Sequence, residues 1–299
     1  MSNIAPIRND HSAAPVAVAV LGVFAYAILD ASLKGVSLAM PTVQVAFFRF
    51  MFGSVFAALI FLRSRQPWPG SGPLAVSVVR AAISTVSLTA FTYAVSILPL
   101  ANAVVLTYSA PIFMAVFGRL FLAEPIGRRA VLAIAVGFVG IVVTLLDRLV
   151  MTWNTEFLLG SLAAVLSGAS YAFTMILARL RSSRDTVEFT VFGQNLFGAL
   201  LVLPLAAIDP QLPPRELVGA FVVIGLSGVV AQFLVVWAWA RTAATRLAPI
   251  EYTSILWAGI FGFFFFHERP TAMTFVGALL IAASGVLVAT RRSVPVETA

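Results

Sequence analysis

Ten runs of about twenty mostly apolar residues, punctuated by proline, glycine or arginine, set the terms on which this 299-residue chain can fold. They cover approximately 14–38, 41–62, 74–97, 100–122, 128–146, 157–179, 187–207, 217–240, 246–266 and 271–290. A helix of about twenty apolar residues spans the hydrocarbon of a bilayer, so each run is a candidate crossing. Only 10% of the residues are charged and 61% are hydrophobic, against about 25% charged in a soluble domain. A water-soluble globule of this size has too little interior to hide that much apolar surface. Ten crossings consume about 200 residues and leave no room for a separate soluble domain. The segment before the first run, with Arg8, Asp10 and His11, reads as a short tail and not as a cleaved leader.

The 19 basic and 12 acidic residues give a net charge of +7. Position along the membrane explains the excess. With the N-terminus inside, Arg8, Arg63, Arg65, Arg128, Arg129, Arg179, Arg181, Arg184, Arg241, Arg246, Arg291 and Arg292 fall on the cytoplasmic side. The opposite side holds Lys34, Arg148, Arg215 and Arg269. Basic residues favour the cytoplasmic face, so both termini are placed inside and no nucleic-acid partner is implied.

The chain also matches itself. At an offset of 144 residues, Ala94, Tyr108, Phe117, Gly118, Phe121 and Glu124 align with Ala238, Tyr252, Phe261, Gly262, Phe265 and Glu268. At an offset of 145, Tyr26, Ala27, Lys34, Phe52 and Gly53 align with Tyr171, Ala172, Arg179, Phe197 and Gly198. Matches of tyrosine carry weight because the sequence contains only five. Two repeats of five helices, at 14–146 and 157–290, follow from this. An odd helix number makes the second repeat enter the membrane from the opposite side, the inverted arrangement used for alternating access.

The segment Phe117-Gly118-Arg119-Leu120-Phe121-Leu122-Ala123-Glu124 and its copy Phe261-Gly262-Phe263-Phe264-Phe265-Phe266-His267-Glu268 each precede a last helix with spaced glycines, Gly137 and Gly140 or Gly277 and Gly285. In this the chain resembles the paired EamA-type domains of the drug/metabolite transporter superfamily. The resemblance implies an all-α membrane carrier of ten helices with both termini inside, and amino-acid exporters are among such carriers. The second half has Ile255 where the first has Pro111, so helix 9 is not expected to bend as helix 4 can.

All five tyrosines occupy repeat-related positions: Tyr26 with Tyr171, Tyr108 with Tyr252, and Tyr93 opposite Trp237. A tyrosine deep in hydrocarbon must satisfy its hydroxyl. Two readings are open: the rings and hydroxyls line a central cavity for a small molecule, or each hydroxyl bonds a neighbouring helix. Ser109 and Gln194 join the candidate substrate set, Gln194 because it stands at the position related to Arg49. An ionisable group within a span costs about 2.5–3.5 kcal/mol or more. Asp30 and Arg49 are expected at similar depth, and Lys34 follows Asp30 by one helical turn. These three form a possible charge cluster, serving a zwitterionic substrate, coupling, or a structural ion pair. Glu124 and Glu268 mark helix ends as turn organisers or gate latches, while Glu251 is placed near cytoplasmic arginines with no functional role.

No phosphate-binding loop, histidine cluster or cysteine suggests a cofactor, a metal or a thiol nucleophile. Convergent acid–base groups for an enzyme are not evident. The expected protein is a multi-pass carrier of the bacterial inner membrane, monomeric, whose partners are lipid and a small polar metabolite, foremost an amino acid. A drug or nucleotide-type cargo is the rival among carriers, and a membrane enzyme the rival of another class.

Overall fold

The computed structural model describes residues 14–65, 71–122, 128–151, 155–181, 186–239 and 250–289, and among them every regular element is helical. In chain order the helices are α1 (Ala14–Ser37), α2 (Thr42–Ser64), α3 (Ser71–Ile97), α4 (Leu100–Thr107), α5 (Ala110–Leu122), α6 (Arg128–Met151), α7 (Thr155–Arg181), α8 (Val187–Ala206), α9 (Arg215–Trp239), α10 (Thr253–Phe266) and α11 (Ala272–Ala289). Seven segments are long and apolar enough to cross a bilayer, with α4 and α5 counted as one. Three shorter apolar stretches, Ile134–Thr144, Thr253–Phe266 and Ala272–Ser284, bring the crossings to ten.

The packing shows how the crossings are related. The tightest partners are α6 with α11, α1 with α9, α3 with α7, and α2 with α8. These are crossings 5 with 10, 1 with 8, 3 with 6, and 2 with 7. Exchanging each crossing for its counterpart five places along turns 1–8 into 6–3 and leaves 5–10 and 2–7 in place. The same exchange carries the α2–α9 contact into α8–α3, and α1–α10 into α7 with α4 and α5. A pseudo-two-fold axis in the membrane plane produces this pattern, which is the inverted-repeat architecture.

Local chemistry explains where the helices stop. Pro41 and Pro99 stand just before α2 and α4, where the missing N–H costs no helical bond. Thr186 caps α8 by accepting from the Phe189 N–H at 3.3 Å. The helix expected over 100–122 is divided at Tyr108 and Ser109. Pro111 has no N–H to offer the Thr107 carbonyl, which removes one rung of the ladder.

The second half differs from expectation: helix 9 is interrupted at Tyr252, the position matching Tyr108, although it lacks the proline. There the Ile255 N–H bonds to the Tyr252 carbonyl, three residues back, at 3.2 Å. The Glu251 carbonyl accepts instead from the Tyr108 hydroxyl at 2.7 Å. A hydroxyl from the other repeat thus does what proline does in the first.

The buried core gathers Leu33, Leu98, Leu100, Leu106, Phe221 and Ile281 from both halves, while Leu59, Leu62, Phe264 and Leu279 present apolar surface outward, as lipid contact requires. Crossings 5 and 10 meet backbone to backbone. A methyl group on Gly140 would lie 2.9 Å from the Gly277 carbonyl oxygen, and one on Gly277 would lie 2.7 Å from that of Gly140. Small residues permit this approach. Gly277→Val is expected to cost about 1–3 kcal/mol through overpacking, measured as a lower unfolding midpoint in detergent, whereas Gly219→Ala, at a site open within 4 Å, leaves the midpoint within error.

Candidate functional site

The motif ending in Glu268 is a helix terminator with a carboxylate folded back on it. His267 adopts the left-handed conformation (φ 54°) and the Glu268 N–H returns to the Gly262 carbonyl at 3.0 Å, closing α10 with a left-handed C-terminal turn. Glycine at 262 leaves room for the carboxylate, since a methyl there would sit 2.9 Å from Glu268 Oε2. So placed, Glu268 Oε1 lies 2.6 Å from Lys34 Nζ, and Oε2 accepts from the Leu100 N–H at 2.7 Å. Lys34 also donates to the carbonyls of Val95 (3.2 Å) and Leu98 (2.5 Å) and lies 5.5 Å from the centre of the Phe266 ring. Its side chain is 6% exposed.

This one pair therefore joins the outer ends of α1, α3, α4 and α10. The carboxylate at the start of α4 also meets the free N–H groups and positive dipole end found there. Lys34 is thus engaged by Glu268 and by carbonyls of the α3 end, which divides the cluster expected of Asp30, Lys34 and Arg49.

A second group lies at the two helix interruptions. Tyr108 donates to the Glu251 carbonyl, receives a hydrogen bond from Ser254 Oγ at 2.7 Å, and packs its ring 5.2 Å from that of Tyr252. Glu251 is within electrostatic reach of Tyr26, Tyr108, Tyr171 and Tyr252. Asp30 and Arg49 interact with each other and with Tyr26. Tyr171 is 42% exposed and interacts with Tyr26 and Glu251. Ser109 is fully buried at the α4–α5 break, and its hydroxyl has no hydrogen-bond partner.

Arg49 forms the floor on one side. Its Nη1 donates to Asn195 Oδ1 at 2.6 Å and its guanidinium lies 5.2 Å from the Phe50 ring centre. Glycine at 228 gives it room, since a methyl there would come within 3.1 Å of Nη2. Arg49 Nε is buried without a partner. A buried donor left unpaired costs about 1–3 kcal/mol, which a ligand acceptor would recover.

The remaining candidates are placed as follows. Gln194 accepts from Gln232 Nε2 at 3.2 Å, joining α8 to α9. Tyr93 is half-buried on α3 and its carbonyl accepts from Ser96; Trp237 is 38% exposed near the end of α9. Glu124 lies outside the described residues. Among the described residues no group of three or more His, Cys, Asp or Glu is placed to hold a metal.

Sequence reasoning overlooked Glu251. It was referred to a helix end and its arginines, whereas it adjoins the Tyr252 interruption among the tyrosines. Its place next to the tyrosine that repeats Tyr108 was the available signal.

Inverted five-helix halves, each interrupted in its fourth crossing, agree with what comparison shows. The EamA-like transporter family matches the chain over residues 14–146 and again over 158–290. This chain belongs to that family. It is similar to the pseudopaline exporter CntI of Pseudomonas aeruginosa, with 29% identity across 90% of this chain and 93% of the relative. It is also similar to the S-adenosylmethionine uptake transporter of Rickettsia felis, with 29% identity across 84% of each. A solved crystal structure shares the fold at a TM-score of 0.62, with 18% identity, over 92% of this chain and 96% of its own. The molecule is a multi-pass membrane transporter of the bacterial cell membrane.

Two substitutions separate the two groups. Glu268→Ala leaves the Lys34 ammonium buried without its counter-charge and is expected to cost about 3–5 kcal/mol, read as a lower unfolding midpoint. Tyr108→Phe removes both hydrogen bonds between the interrupted crossings and is expected to cost about 1–3 kcal/mol, again by detergent unfolding, while the Lys34–Glu268 pair stays intact.

Proposed function

We propose that the protein is a secondary transporter of small amphoteric metabolites, foremost amino acids and their derivatives, working by alternating access around the tyrosine-lined centre. The observation that carries this reading is Arg49, whose buried Nε has no hydrogen-bond partner and whose guanidinium interacts with Tyr26 and Asp30 inside the bundle. Arg49 suits a substrate carboxylate, Asp30 and Glu251 suit an ammonium, and the rings of Tyr26, Tyr108, Tyr171 and Tyr252 suit the remainder. S-adenosylmethionine, named for relatives that take it up, combines an amino-acid head with a flat purine, the kind of group aromatic rings receive. This favours a nucleoside-bearing amino acid as the second cargo to test.

In this reading Lys34–Glu268 closes the outer side. The repeat supplies counterparts at the inner side, Arg179 for Lys34 and Glu124 for Glu268, which we assign to the opposite closure. Tyr93, Trp237 and Gln194 serve as outlying members of the lining.

The reading predicts saturable movement of labelled amino acids or S-adenosylmethionine across liposomes holding the purified protein. Arg49→Lys and Glu251→Gln should each slow it by about ten- to a hundredfold, the loss of one charge-assisted hydrogen bond. Tyr171→Phe and Tyr26→Phe should raise the half-saturating concentration. Asp30→Asn, compared with and without a pH gradient, separates proton coupling from simple binding: loss of the gradient's effect assigns Asp30 to coupling. Unchanged affinity and rate in all five variants would remove the centre from the mechanism.

A further inference from the structure

A cavity of about 720 Å³ lies over the outer ion pair. Lys34, Glu156, His267 and Glu268 supply its charged or titratable groups, and Leu38, Ile97 and Phe157 its apolar wall. Leu98, whose carbonyl holds Lys34, belongs to the same lining. The volume falls within the 300–1,000 Å³ usual for a small-molecule site. Its floor is the contact that joins α1, α3, α4 and α10.

We propose that this vestibule is a second substrate subsite, reading the head group of a zwitterion, and that binding there releases the Lys34–Glu268 pair by exchange of partners. The inference rests on the transporter reading for its cargo class but concerns a different place. Separating a buried pair without replacement exposes each charge to the full cost of losing its partner. A zwitterion is the ligand chemistry that replaces both partners at once: its carboxylate takes Lys34 and its ammonium takes Glu268. A ligand with only an amine or only a carboxylate compensates one partner and strands the other. The apolar wall contributed by Leu38, Ile97 and Phe157 receives a side chain without demanding a particular polar group. The subsite therefore selects the head group and leaves finer selection to the centre.

The absence of cysteine from the sequence makes the test direct. A single Ala101→Cys places a thiol in the first turn of α4, next to the Leu100 N–H that holds Glu268. Labelling by a membrane-impermeant maleimide added outside liposomes, with the protein oriented outer face out, then reports opening of the latch. Three probes are compared at millimolar concentration: L-phenylalanine, L-phenylalaninamide and N-acetyl-L-phenylalanine. The proposal expects slow labelling without ligand, acceleration of about tenfold or more by phenylalanine, a ratio corresponding to about 1.4 kcal/mol, and no acceleration by the amide or the N-acetyl compound. Glu268→Gln should label rapidly without ligand and lose the response. Lys34→Arg, which keeps the positive charge and donors for Glu268 and for the Val95 and Leu98 carbonyls, should retain slow labelling and the response to phenylalanine, which also shows that substitution at the latch leaves the protein folded. Equal acceleration by either single-charge probe, or none by phenylalanine in a chain that Glu268→Gln opens, overturns the proposal. Labelling that responds to phenylalanine in liposomes that transport no amino acid would instead retain the vestibule and reject the transported cargo.

Discussion

Within hydrocarbon a peptide group has no water to turn to, so every N–H and C=O that leaves a helical ladder needs a partner from the protein itself. That constraint governs where this fold can be irregular. The interruptions lie in the fourth crossing of each half, at Tyr108–Ser109 and at Tyr252, and they answer one another. The carbonyl of Glu251 is satisfied by the hydroxyl of Tyr108, and that hydroxyl is in turn satisfied by Ser254. Neither interruption could be lipid-facing. Their convergence creates a polar interior in a chain that is 61% hydrophobic.

The outer ion pair obeys the same constraint with charges in place of peptides. Burying an ammonium and a carboxylate is costly, and the pair persists because all around it is arranged for it. Two carbonyls from the end of α3 accept from Lys34, and the first N–H of α4 meets Glu268. All are helix-end groups that would otherwise lack partners. The termini of three helices and one side chain from a fourth thus satisfy each other at a single point. A point of this kind is held firmly while its geometry is intact, and it loses much of its stabilisation together when one partner leaves. Such joint loss is what the proposed latch relies on.

Much of this was legible because the repeat multiplies weak signals. Gly262 recurring with Glu268 as Gly118 does with Glu124 marked the helix-end motif, and Pro111 marked the bend of helix 4. What could not be read was partnership across the bundle. Lys34 lies one turn from Asp30 in the chain, yet its carboxylate partner comes from residue 268, because α1 meets the end of α10 in space. The bend at Tyr252 was missed for the same reason: no local breaker causes it, and the hydroxyl that competes for the Glu251 carbonyl is contributed by another repeat. Periodicity finds helices, but it carries no record of which side chain a distant helix brings.

Symmetry and its exceptions divide the work between movement and recognition. Helix contacts that exchange under the two-fold axis, with Gly140 and Gly277 facing each other on it, give both halves equivalent surfaces to slide on. In a carrier working by alternating access, alike surfaces on the two halves allow two conformations of comparable free energy. Recognition requires the opposite. Asp30 corresponds to Met175 and Arg49 to Gln194, so charge at the centre belongs unequally to the halves. A symmetric centre would present each end of a substrate with the same groups. An amphoteric molecule, whose ends differ in sign, is held in one orientation only where the duplicated scaffold has lost its symmetry.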